Sequence, residues 1–94
     1  MTNTYELIPN DNRKSFYGKA TVKEYTDANG VNVAELKSYN TIVAVIENGT
    51  TFYRTWGDYS ATTMRHVNAF LSQYNISGGG KSWWDNLPVT HNKY

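Results

Sequence analysis

The sequence predicts an α+β domain: an antiparallel β-sheet made of two consecutive hairpins, then one amphipathic α-helix packed on it and a short C-terminal turn. Three observations lead there. Two runs, Phe16 to Asp27 and Val31 to Lys37, read as strands around Ala28-Asn29-Gly30. Asn48-Gly49, a strong hairpin dipeptide, parts an apolar run from an aromatic one. Ala61, Met64, Val67, Phe70, Leu71 and Tyr74 then form a stripe at helical period.

Taken in chain order, residues 1–15 are polar apart from Tyr5, Leu7, Ile8 and Pro9 and are expected as an arm. Tyr5 and Leu7 flank Glu6, so a short edge strand there would raise the strand count from four to five. The domain proper is expected over 16–88, with 89–94 as a flexible tail.

For the first hairpin, Gly30 can take the left-handed conformation that closes a three-residue loop with a bulge. Pairing Asp27 with Val31 sets Val22 opposite Leu36, Ala20 opposite Ser38 and Glu24 opposite Ala34. Lys23 then meets Glu35, and Tyr25 meets Val33, on the other face. A two-residue Asn-Gly turn would instead oppose Lys23 to Leu36, so cross-strand chemistry selects the first register.

The third strand, read from Tyr39 to Glu47, is apolar on both faces and belongs in the middle of the sheet. Residue types leave two faces open to the helix, Ile42, Ala44 and Ile46 or Val43 and Val45, and the first is favoured. A two-residue Asn48-Gly49 turn would then put Val45 opposite Phe52, Ala44 opposite Tyr53 and Thr41 opposite Trp56. Ser60 is a good N-cap, with Tyr59 and Met64 at hydrophobic-staple spacing. Arg65, His66, Asn68, Ser72 and Gln73 are expected to face away from the core. Ser82-Trp83-Trp84-Asp85 has capping-box spacing with Asp in place of Glu, and Pro88 stops the short turn it opens.

Composition narrows the function. The chain has 94 residues and no cysteine, which excludes a disulfide framework and thiolate chemistry. Its longest apolar run, Ile42 to Ile46, is far short of the roughly 20 residues of a membrane helix. Neither a signal peptide nor a membrane partner is expected, and the protein is read as cytoplasmic. A net charge of +1 gives no global basic footprint, although Arg13, Lys14, Lys19 and Lys23 fall close together. Stability must lean on 8 Tyr, 3 Trp and 3 Phe.

Three stretches, Lys14-Ser15-Phe16-Tyr17-Gly18-Lys19-Ala20, Leu36-Lys37-Ser38-Tyr39-Asn40-Thr41 and Tyr59-Ser60-Ala61-Thr62-Thr63-Met64-Arg65-His66-Val67, resemble a known group. It comprises small proteins of phages and prophages of Gram-positive bacteria, catalogued only as a domain of unknown function. The resemblance runs from about Lys14 to Trp84. It implies no activity, cofactor or catalytic residue, only the setting of a phage accessory protein inside its bacterial host. Such small proteins often bind and block a host protein, defence proteins among them.

No catalytic constellation is expected. Gly78-Gly79-Gly80-Lys81-Ser82 ends like a phosphate-binding loop, but Asn75 stands where the first glycine belongs and a helix precedes it. The glycines are therefore read as a flexible linker. His66 and His91 lack the carboxylate, nucleophile or further ligands that chemistry or a metal would need. No enzyme activity, cofactor or metal is expected, and the surface candidates concern binding. Trp83 and Trp84 cannot both point the same way, so one is expected over the core and the other exposed, with Arg65 joining it as a protein-binding patch. Tyr17, Lys19, Thr21, Lys23 and Tyr25 project from one face of the first strand. Rings interleaved with ammonium groups are what single-stranded nucleic acid requires. The leading expectation is a partner protein from host or phage, or a second copy of the chain. Nucleic acid at Tyr17, Lys19, Lys23 and Tyr25 is the alternative.

Overall fold

The computed structural model describes residues 2–9, 16 and 18–90. Five strands, β1 (Asn3–Glu6), β2 (Ala20–Thr26), β3 (Asn32–Ser38), β4 (Thr41–Glu47) and β5 (Thr51–Arg54), form one antiparallel sheet in the order β1-β2-β3-β4-β5. Helix α1 (Ala61–Ser72) lies across β3, and a short α2 (Lys81–Asp85) follows. The fold is α+β, as the sequence predicts. The edge strand is the fifth one, with Tyr5 opposite Val22.

The first hairpin has the expected register: Val22 faces Leu36, Lys23 faces Glu35 and Tyr25 faces Val33. Its loop is organised by Asp27, whose carboxylate accepts the N–H groups of Asn29 (2.8 Å) and Val31 (3.0 Å). Gly30 supplies the positive φ of 82° that the loop requires.

Two irregularities in the sheet change which side chains meet the helix. The third strand begins at Thr41, because Tyr39 and Asn40 form the β3–β4 turn, with Ser38 opposite Thr41. A bulge then breaks the pairing: Leu36 faces Ala44 but Lys37 faces Ile42, leaving Val43 as the extra residue. Val43 joins Ala44 and Ile46 in the core, and the expectation for Ile42 is corrected. It lines the opposite face with Lys37, Glu35 and Lys23.

The second irregularity is at the β4–β5 turn. Asn48 and Gly49 have the positive φ values, 54° and 71°, of the expected dipeptide. Yet Glu47 faces Thr51, so Val45 meets Tyr53 and Ala44 meets Arg54, one residue off the expected register. Asn48 is drawn into the β3 ladder: its N–H donates to Asn32 O (2.7 Å) and its Oδ1 accepts the Asn32 N–H (3.1 Å). Thr50 is the additional loop residue. The shift carries Phe52 to the same face as Ile46, where it packs against the core, because side chains alternate strictly along a strand.

Helix α1 starts as expected, with Ser60 Oγ accepting the Thr63 N–H (3.0 Å). Met64, Val67, Phe70 and Leu71 are buried. Two expectations, for Ala61 and His66, fail at its faces. Ala61 is exposed, whereas Thr63 and His66 are buried, because the first two turns roll over the β3–β4 turn and Phe16.

The glycine stretch is packed rather than a flexible linker. A Cβ at Gly78 would collide with Asn68 Oδ1, and one at Gly79 would collide with Trp83. Asn68 Nδ2 donates to Met64 O and to Gly79 O, both at 2.9 Å, tying the loop to the helix. Helix α2 is capped by Gly80, two residues ahead of the expected Ser82. Val89, expected to open a flexible tail, bridges Arg54, and the Thr90 N–H donates to Arg54 O (2.7 Å). No helix among the described residues is long and apolar enough to cross a membrane.

Candidate interaction site

The residues singled out in sequence land in three places. On the sheet face away from α1, Lys23 Nζ lies 5.5 Å from the Tyr25 ring centroid. The Tyr25 hydroxyl donates to Glu35 Oε2 (2.5 Å). Burial, then the hydrogen bond and charge of Glu35, push that hydroxyl up to about 12. Lys23 and Lys37 therefore flank Glu35 across a shallow depression that also takes in Thr4, Thr21 and Ile42. Lys19 is exposed just ahead of β2. Tyr17, Arg13, Lys14 and His91 lie outside the described residues. Among the described ones this face carries mixed charge, and its one tyrosine of the row is engaged with a carboxylate.

The two tryptophans divide as expected, one inward and one partly out. Trp84 is the latch, fully buried, with its indole N–H donating to Asp58 O (2.7 Å). Trp83 is half-buried and stacks on Phe52, centroids 5.8 Å apart. Beneath Trp84 sits Arg54, a residue the sequence reading passed over. Its Nη1 donates to Trp84 O (2.7 Å) and Leu87 O (3.2 Å), and its Nε donates to Trp56 O (2.8 Å). The guanidinium also lies 4.7 Å from the Trp84 ring. Charge at the carbonyl end of α2 is favourable by the same logic as a basic residue in a last helical turn.

Arg65 stands elsewhere. Its guanidinium lies 5.1 Å from the Phe16 ring, ahead of β2, whereas Trp83 leans on Phe52 of β5, so the two are anchored on different elements. Around Arg65 a different site is assembled. Phe16 meets His66 edge-on at 4.5 Å, and Tyr39 lies 5.9 Å from the same imidazole. Below the rings, Ser38 Oγ is hydrogen-bonded to His66 Nδ1 (2.8 Å) and to Thr63 Oγ1 (3.1 Å). This buried chain ties the end of β3 to the first two turns of α1. Burial, and then the charge of Arg65, hold the His66 pKa below its ordinary value, so the imidazole is neutral near pH 7.

Tyr39 is the outward part of that site. It is 51 % exposed and has a φ of 57°. For a bulky side chain this left-handed conformation is strained, and Gly or Asn is the ordinary occupant of such a turn position. The strain is held in place by the Tyr39 N–H, which donates to Lys19 O (2.6 Å), and by the pairing of Ser38 with Thr41. Phe16 and Lys19, Ser38 and Tyr39, and Thr63, Arg65 and His66, all from the stretches quoted above, thus come together. What they present is the half-exposed Tyr39 ring next to His66. Sequence reasoning missed Tyr39 and Ser38. Asn40 and the lapse of apolar alternation between Leu36 and Ile42 mark a turn, but nothing in the residue types announces a tyrosine at positive φ.

A family model described as a family of unknown function (DUF8033) matches residues 5–86. No curated protein and no solved structure matches the chain significantly.

Proposed function

The chain belongs to this family of unknown function, and on that premise we propose that it acts by binding a protein partner rather than by catalysis, through the surface around Tyr39. One observation carries the reading: a tyrosine is held half-exposed at positive φ, where a smaller residue would relieve the strain. Strain of this kind, about 1–3 kcal/mol, is found where surrounding structure enforces it for a purpose. Tyr and Arg are also the side chains that most often dominate protein interfaces. The resemblance to phage and prophage proteins of Gram-positive bacteria supplies the setting. In this reading the partner is a host protein in the bacterial cytoplasm, a defence protein among the candidates, which the chain blocks by occupancy.

The test compares the wild-type chain with Tyr39→Gly and Arg65→Glu. Each is immobilised, exposed to host lysate, and then titrated with the purified partner. Tyr39→Gly should keep the fold and weaken binding about 30-fold. A partner retained equally by all three chains would move the site elsewhere, and recovery of none from any host would count against the reading. A second copy of the chain as occupant would appear as Tyr39-dependent self-association in sedimentation. Single-stranded nucleic acid on the sheet face is the weaker reading, because Glu35 stands between Lys23 and Lys37. It would require binding that falls steeply with salt and disappears in Lys19→Glu with Lys23→Glu.

A further inference from the structure

At the end of the sheet remote from Tyr39, the last turn of α1 runs into a cleft of about 300 Å³ lined by Asn3, Glu24, Thr26, Asn32, Gly49 and Tyr74 among others. That volume is at the low end for small-ligand sites and suits one polar head group rather than a whole metabolite. We infer that this cleft is a binding site for a single ammonium or guanidinium group, held by Glu24.

Four features point the same way. Glu24 is the acidic side chain among the lining residues, and its carboxyl group is fixed in place. Tyr74 OH donates to Oε2 (3.2 Å), and Asn3 Nδ2 approaches Oε1 (3.4 Å). A carboxylate already oriented by neutral donors needs little reordering to accept a charge-assisted hydrogen bond. Next, Tyr74 directly follows the carbonyl end of α1, and no basic side chain stands in that last turn to offset the negative end of the helix dipole. Tyr74 lines the cleft beside Gly49, an aromatic neighbour of the kind that favours a cation. Finally, Lys23 and Lys37 are kept away, since strand alternation turns both to the opposite sheet face. The hydroxyls of Tyr5 and Tyr74 register the local field. Both are raised above the ordinary tyrosine value, by burial first and with the negative charge of Glu24 among the remaining causes.

The same head group could come from a free amine or from a lysine or arginine side chain of another protein. Two probes separate these sources: agmatine, a free molecule bearing an ammonium at one end and a guanidinium at the other, and the capped tripeptide acetyl-Gly-Arg-Gly-amide. Each is titrated into the nitrogen-labelled full chain while backbone amide shifts are followed. Saturable shifts confined to Asn3, Glu24, Thr26, Asn32, Gly49 and Tyr74 are expected. If both probes bind, a free amine suffices; if only the tripeptide does, the occupant is a protein side chain. Either result supports the site. Glu24→Gln keeps an acceptor for Tyr74 but removes the charge, and should weaken binding about tenfold. Thr26→Lys, at an exposed position, places a tethered ammonium in the cleft and should block both probes whatever Glu24→Gln does to folding. Absence of saturable shifts, or equal binding by wild type and both variants, overturns the inference.

Discussion

Two corners of this molecule place an arginine on an aromatic ring, and they use the pair in opposite ways. Arg54 over Trp84 is 6 % exposed, and three backbone carbonyls accept its N–H groups. Arg65 over Phe16 is half-buried, and across His66 from that ring stands Tyr39, about half exposed on a strained backbone. In the first corner every polar group is turned inward, and the pair clamps α2 and Val89 to the edge of β5. In the second, the inward duty falls to Ser38, Thr63 and His66, which frees the aromatic above them to face outward. Residue type alone does not separate an anchor from a contact surface. The difference lies in where the donors go.

Four substitutions or titrations would break or sharpen that contrast. The largest effect is expected at Trp84, where Trp84→Ala empties the latch and should lower stability by about 4 kcal/mol, read as a large drop in thermal midpoint. Arg54→Met keeps the aliphatic stem but removes the donor to the carbonyls of Trp56, Trp84 and Leu87. A loss of about 2 kcal/mol in urea unfolding follows, and a negligible loss would remove Arg54 as the clamp.

The third test is a titration at His66. Its folded-state pKa lies below the ordinary 6.5, so on acidification the unfolded chain takes up a proton that the folded chain refuses. Stability should be constant above about pH 7 and decline below about 6.5 until the folded imidazole protonates. Asn at position 66 keeps an acceptor near Ser38 and should flatten that part of the profile; an unchanged slope would assign it to other groups. The smallest effect is expected at Tyr39. Relief of the positive φ in Tyr39→Gly should raise stability by about 0.5–1 kcal/mol, partly offset by the greater freedom of glycine in the unfolded chain. A clear loss instead would make Tyr39 a structural residue and collapse the contrast between the corners.

Much of the sheet could be read from residue order because its constraints are local. The β2–β3 register follows from Asp27, Gly30 and the pairing of Lys23 with Glu35, all within one hairpin. The Ser60 cap and the buried set Met64, Val67, Phe70 and Leu71 follow from spacing along one helix. The misses are non-local. The bulge that turns Ile42 outward, the extra residue at Thr50 and the burial of His66 each depend on what another element supplies: Ala44 against Leu36, Asn48 against Asn32, Ser38 beneath the helix. Of the candidate sites, the turning inward of one of the two tryptophans was legible because adjacent residues on a turn must diverge; that it is Trp84 came from the structure. Tyr39 was not, since backbone strain leaves no mark in composition.

By itself the sequence determined the α+β class, the β2–β3 register, the start of the helix and the partition of the tryptophans. Alternation, turn chemistry and capping act between residues near in the chain, so their outcome is written in order along it. Only the tertiary structure decided that His66 is enclosed, that Gly78 and Gly79 pack tightly, and that Tyr39 and Glu24 mark opposite ends of the domain. Those outcomes arise where side chains from distant segments compete for the same space and the same hydrogen bonds, and no single segment carries that information.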